Sequence, residues 1–149
     1  MNANGNLATT FVMTENTTFS ATFVGDYRSA PAAVSQKHLT RARVTTIPLG
    51  WFKKVGSIAV YHAGAIPRFA FTVAPSRPNG CIDVVAQRLS GGVWKTVAAA
   101  TCFHLEGDSA SIVGVFGFSK PGKMRIAAAV PSDWKTYAGA SVWQYYSFI

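Results

Sequence analysis

Residues 19–29, FSATFVGDYRS, return 107 positions later as residues 126–136, IAAAVPSDWKT. At that offset Phe19, Ala21 and Phe23 fall on Ile126, Ala128 and Val130. Asp26-Tyr27-Arg28-Ser29 falls on Asp133-Trp134-Lys135-Thr136, so acid, aromatic, base and hydroxyl keep their order. The likeness extends upstream, where Phe11 falls on Phe118. A self-match at about one-domain spacing marks a tandem array of small domains. The copies are unequal, because a whole period precedes the second and only 18 residues precede Phe19. The expected organisation is residues 1–39 as the C-terminal strands of an incomplete module, followed by residues 40–149 as a complete one. On this reading the chain is a segment of a longer protein.

Of the 149 residues, 49% are hydrophobic and 13% charged, a balance that forms a packed core and not a disordered chain. No apolar run approaches the roughly 20 residues of a membrane-spanning helix. The segment MNANGNLATTFVMTENTT has no basic stretch followed by an apolar one, so no signal peptide is read there. The net charge is +8, with Lys and Arg scattered as singles and pairs such as Lys53-Lys54. A scattered excess suits solubility or loose attraction to anionic surfaces such as cell-wall polymers. It lacks the clustering of a nucleic-acid interface, and none is expected.

Period-2 alternation recurs between turn residues, while helix signals are almost absent. Phe69, Phe71 and Val73 alternate with Arg68, Ala70 and Thr72, and Met124, Ile126, Ala128 and Val130 alternate with smaller or polar neighbours. Strands are expected near 40–46, 57–63, 68–74, 81–89, 94–103, 111–118, 123–131 and 140–148. Seven or eight short strands in about 105 residues read as an antiparallel β-sandwich, with a small closed barrel as the alternative. Residues 1–44 give three more runs, near 7–13, 17–24 and 33–39.

The two cysteines flank the clearest hairpin, CIDVVAQRLSGGVWKTVAAATC. Gly91-Gly92 suits a two-residue turn. Position numbers of residues paired across it add to 183, as do 81 and 102, which places Cys81 directly opposite Cys102. That register predicts a disulfide and an oxidising, extracellular compartment. Closing so short a loop stabilises by roughly 3 kcal/mol at most.

No catalytic or metal constellation emerges. His38, His62 and His104 stand far apart, the six carboxylates are unpaired in sequence, and neither CxxC, GxSxG nor a phosphate-binding loop occurs. A non-enzymatic chain without cofactor or metal is expected. The aromatic residues are distinctive: Trp134 and Tyr137 lie in the loop before the last strand, and Trp143, Tyr145, Tyr146 and Phe148 crowd that strand. Core packing accounts for some of these rings. Trp134, Tyr137, Trp143 and Tyr145 are the candidate binding surface, for sugar rings or a partner strand.

Three segments resemble tandem immunoglobulin-like modules of bacterial secreted and cell-surface proteins: NGNLATTFVMTENTTFSATFVGDYRSAPA, AVYHAGAIPRFAFTVAPSRPNGCIDVVAQRLSGGVWKTVAAATC and KPGKMRIAAAVPSDWKTYAGASVWQYYSFI. The resemblance implies an immunoglobulin-like Greek-key β-sandwich serving as spacer, adhesion or binding unit, with no catalytic residues to carry over. One departure is plain: antibody-type domains join two sheets through distant cysteines, whereas these lie in one hairpin. The expected function is an extracellular, secreted or cell-surface module ending a repeat array. The alternative is an accessory, carbohydrate-binding part of a secreted enzyme whose catalytic domain lies upstream. Expected partners are cell-wall polymer, polysaccharide or protein, with self-association through residues 1–39, whose apolar face lacks a partner sheet.

Overall fold

The computed structural model describes residues 8–107, 109–115, 121–133 and 136–149. All regular structure among these residues is β. Among the described residues no helix is long and apolar enough to cross a membrane. The chain divides into two compact units, Met1–Thr40 and Arg41–Ile149.

The first unit is a hairpin of β1 (Thr17–Phe23) and β2 (Ala32–His38), joined through seven antiparallel residue pairs. Its turn closes on Asp26, whose Oδ1 accepts the N–H groups of Arg28 and Ser29, each at 2.8 Å. The Asp26 N–H in turn donates to the Ser29 carbonyl at 2.9 Å. An aspartate that ties down backbone two and three residues ahead fixes such a turn without help from the strands. Of the strand expected near 7–13, the described residues, 8–13, form none. Residues 8–13 carry no ladder, although Phe11 rests on Phe19 with ring centroids 5.1 Å apart. Alternation marks a face, but a strand also requires a neighbour that supplies N–H and C=O partners.

In the second unit, β3 (Arg43–Leu49), β6 (Arg68–Ala74) and β9 (Ala110–Gly114) form an antiparallel sheet in the order β3-β6-β9. The other sheet contains β4 (Lys53–Val55), β5 (Ile58–Tyr61), β7 (Cys81–Ser90), β8 (Val93–His104), β10 (Gly122–Val130), β11 (Gly139–Ala140) and β12 (Gln144–Phe148). Its order is β4-β5-β12-β10-β7-β8, with β11 also on β10. Among the described strands every pairing is antiparallel except β5 with β12, which run parallel. The expected first strand is displaced to Arg43–Leu49, and the short β4 was not anticipated. The expected 140–148 strand is broken at Ser141, which bonds Ala128 through both its backbone N–H (2.8 Å) and its Oγ (3.0 Å). Residues 116–118, the end of another expected strand, lie outside the described residues.

One hydrophobic cluster draws on both sheets. Phe69, Phe71 and Val73 of β6 face Ile82, Val84 and Ala86 of β7, Met124, Ile126, Ala128 and Val130 of β10, and Tyr146 and Phe148 of β12. The inward side of each alternating strand is therefore the buried side. Burial of each large side chain stabilises by about 1.5–3 kcal/mol.

Two of the buried rings carry hydroxyls. Tyr61 donates to the Leu49 carbonyl at 3.0 Å, while the Tyr146 hydroxyl finds no partner among the described residues. Burial pushes the Tyr61 phenol up to about 12, and burial followed by repulsion from Tyr61 pushes Tyr146 higher still. The fold thus favours the neutral phenols. This contribution is complete below the unfolded value near 10 and is lost as pH rises from about 10 through 12. Stability is expected to fall steeply in that window. Phenolate absorbance from two of the five tyrosines should appear together with loss of β-sheet circular dichroism. Stability that stays flat from about pH 9 to 12 would contradict this.

The sequence repeat has a structural counterpart. In the second copy the Asp133 N–H donates to the Thr136 carbonyl (3.0 Å) and Asp133 Oδ1 accepts the Thr136 N–H (2.8 Å), as Asp26 does with Ser29. Adding the 107-residue offset to the pairs Thr22↔Ala33 and Phe23↔Ala32 gives Ala129↔Ala140 and Val130↔Gly139, the two observed pairs of β10 with β11. Turn chemistry and the two strand pairs beside it coincide, but past the break at Ser141 the register shifts by one: the offset takes Thr17↔His38 to Met124↔Tyr145, whereas Met124 pairs with Tyr146. Asp133 has a further partner, an ion pair with Arg77 from the loop after β6.

Candidate functional site

The sulfurs of Cys81 and Cys102 lie at bonding distance, with Cα atoms 4.6 Å apart. The register that predicted this pair is incorrect in detail. From the Gly91-Gly92 turn, Ser90↔Val93 through Gln87↔Thr96 pair as expected. Irregularities then follow, between Ala86 and Gln87 and between Ile82 and Val84, and Cys81 comes to lie opposite His104. Each bulge adds one residue to β8, so two of them displace the register by two positions and preserve the faces. Cys102 sits in the second bulge at φ +50°, its N–H held by Asp83 Oδ1 at 3.0 Å. The bulge brings Cys102 back within reach of Cys81 where a regular diagonal pair would be about 7–8 Å apart. β8 is a margin strand of the sheet, where bulges also disrupt a row of open hydrogen-bonding groups.

The outer face of the same sheet carries an aromatic and cationic platform. Tyr145, Arg125, Gln87 and Thr96 are successive cross-strand partners on β12, β10, β7 and β8. Gln87 Oε1 accepts from Arg125 Nε at 2.8 Å and Nη2 at 2.6 Å. The guanidinium so fixed lies between two indoles, 4.5 Å from the Trp94 ring and 4.1 Å from the Trp143 ring. Trp94 also approaches Tyr145, with ring centroids 5.9 Å apart. Strand β7 separates β8 from β10, so the Trp94 ring must cross it to reach Arg125.

Trp143 and Tyr145 therefore belong to one cluster, completed by Trp94, Arg125 and Gln87, none of which was among the expected surface residues. Their signal lay in the hairpin register, which sets Trp94 opposite Leu89, and in the alternation of β10, which turns Arg125 away from the core. Tyr137 is not part of the platform. It forms a parallel bridge with Arg41, its carbonyl accepts the Ala42 N–H at 3.1 Å, and it is 54% exposed. Trp134 lies outside the described residues. Tyr146 and Phe148, on the opposite side of β12, are buried in the core.

A cation held over aromatic faces contributes about 0.5–1 kcal/mol when exposed and about 2 when desolvated. Arg125→Ala also strands the Gln87 carbonyl, so a loss of about 1–2 kcal/mol is expected. Arg125→Lys should recover only part of it, since an ammonium cannot stack as a plane. Urea unfolding measures both variants, and an unchanged midpoint in the alanine variant would show that the stack contributes nothing.

The histidines are dispersed: His38 packs on Phe19, His62 on Phe52, and His104 pairs with Cys81. Among the described residues no three His, Cys, Asp or Glu side chains converge as a metal site would require. No protein-family model, curated protein or solved structure matches the chain.

Proposed function

We propose that residues 40–149 are a complete immunoglobulin-like Greek-key module of a non-enzymatic, secreted or cell-surface protein, and that residues 1–39 hold the closing hairpin of a preceding module. The array serves as spacer, adhesion or binding unit. The observation that carries this reading is the shared turn: two segments 107 residues apart close on the same aspartate hydrogen bonds and share the two strand pairs beside that turn. Strand order supports the module type, because β3-β6-β9 on one side and β12-β10-β7 on the other match the first-second-fifth and seventh-sixth-third arrangement of such domains. The bonded cysteines fit an oxidising compartment. They join neighbouring strands of one sheet and so play no part in antibody-like cross-sheet chemistry.

The coding sequence upstream of residue 1 tests this directly. Further repeats with an Asp-x-x-Ser/Thr turn support an array. A catalytic domain there supports the alternative of an accessory part of a secreted enzyme.

The platform favours a second reading, direct glycan binding. Flat aromatic faces accept the C–H surfaces of sugar rings, and Trp94, Trp143 and Tyr145 are all partly accessible around one fixed cation. Retention on insoluble polysaccharide, reduced by Trp143→Ala, is the expected result. Absence of retention by the intact chain removes this reading.

A further inference from the structure

We propose that residues 47–56, from the end of β3 through β4, dock the second unit on a lipid bilayer that contains anionic phospholipid. The segment reads Ile-Pro-Leu-Gly-Trp-Phe-Lys-Lys-Val-Gly. It sits at the sheet margin, where β4 is only three residues long. Its backbone is well fixed: Tyr61 bonds the Leu49 carbonyl at 3.0 Å, and the Phe52 N–H bonds the Val60 carbonyl at 2.8 Å. Gly50 and Gly56 take φ +66° and +60° at the two bends, a region in which a side chain would be strained.

The side chains on this frame remain in water. Trp51 is 41% exposed, Phe52 53% and Val55 59%. Each ring has a lysine above it: Lys54 Nζ lies 5.2 Å from the Trp51 centroid and Lys53 Nζ 5.7 Å from that of Phe52. His62 packs on Phe52 at 4.2 Å. Residues 41–82 contain six Lys and Arg and no Asp or Glu. The surroundings of the tip in sequence are thus purely cationic.

Charge and apolarity at one tip identify the partner. A soluble polyanion would engage Lys53 and Lys54 and leave Trp51, Phe52 and Val55 in water. An apolar protein groove would take the rings and gain nothing from two lysines. The bilayer interface takes both, since aromatic rings favour headgroup depth while lysines reach anionic headgroups. An exposed apolar cluster rimmed by cations is otherwise a liability for a soluble module.

The test is sedimentation of the full chain with vesicles of three parts phosphatidylcholine to one part phosphatidylglycerol, compared with phosphatidylcholine alone. Binding to the mixed vesicles is expected, with little to the neutral ones. Lys53→Glu/Lys54→Glu should weaken it by about twentyfold or more, from the usual effect of basic residues at an anionic surface. Trp51→Ser/Phe52→Ser should weaken it by about tenfold or more, through lost apolar insertion. Both pairs are exposed, and an unchanged unfolding midpoint for each variant establishes that the fold is intact. Absence of binding to the mixed vesicles overturns the proposal. So does binding that survives Trp51→Ser/Phe52→Ser, which would reduce the tip to an adsorber of soluble polyanions.

Discussion

Phe69→Ala is expected to destabilise the second unit by about 3–5 kcal/mol, a large fraction of the roughly 5–15 kcal/mol that holds a domain folded. Phe69 lies at the middle of the three-stranded sheet, is fully buried, and reaches the other sheet with its ring centroid 5.0 Å from Tyr146 and 6.5 Å from Tyr61. Removal of the ring leaves a cavity between two sheets whose backbones are each fixed by their own ladders. The gap can close only partly, which places the cost toward the upper end of the range. Leucine at the same position retains most of the volume and should recover more than half of the loss. Denaturant unfolding measures both, and a cost under about 1 kcal/mol for the alanine variant would show that the sheets are not coupled through this ring.

Gly139→Ala is expected to be at least as damaging, by overlap instead of a cavity. Gly139 pairs with Val130 and passes directly over Ala42, so a Cβ would fall inside the Ala42 carbonyl group. The obstacle is backbone, and that backbone is fixed by the Ala42 N–H bond to Tyr137 and by an Arg41 Nε bond to Ala138 at 3.3 Å. A contact that no rotamer change can relieve costs about 3 kcal/mol or more. The first copy supplies an internal control. Its residue at the equivalent position is already alanine, Ala32, and it is exposed. Ala32→Gly should therefore change stability by no more than about 1 kcal/mol. Equal effects at the two positions would contradict the crowding argument.

These two sites show what the sequence reveals and what it hides. Phe69 was legible, because Phe69, Phe71 and Val73 alternate with smaller or polar residues and only one side can face the core. The disulfide partner was legible from the turn register, yet the two bulges were not. A bulge depends on where twist and margin geometry permit an extra residue, and Val97 and Cys102 carry no side-chain signal for it. The platform was half legible. Trp143 and Tyr145 stood out by density of rings, but Arg125 and Trp94 become their neighbours only once β8, β7, β10 and β12 are ordered side by side. Gly139 gave no warning of its role, since close approach to Ala42 is a three-dimensional fact. The strand expected near 7–13 failed for a related reason, as local alternation says nothing about the presence of a neighbour.

The proposed repeat links these observations to function. In the second copy the edge of β10 is filled by β7 and that of β12 by β5, whereas among the described residues β1 pairs only with β2. If both hairpins close the same kind of module, strands equivalent to those of residues 41–123 should complete the first copy. A chimera joining residues 41–123 to residues 17–149, with Ala32→Gly to clear the Ala42 carbonyl, supplies them in the register set by the 107-residue offset. Hydrogen exchange of this chimera is the most direct measurement. The predicted result is strong protection of the Thr17–Phe23 amides that face away from β2, reaching the level of Met124–Val130. If those amides exchange as fast as in the parent chain while the added strands stay unstructured, the two hairpins are not closing elements of one module type, and the array reading is contradicted.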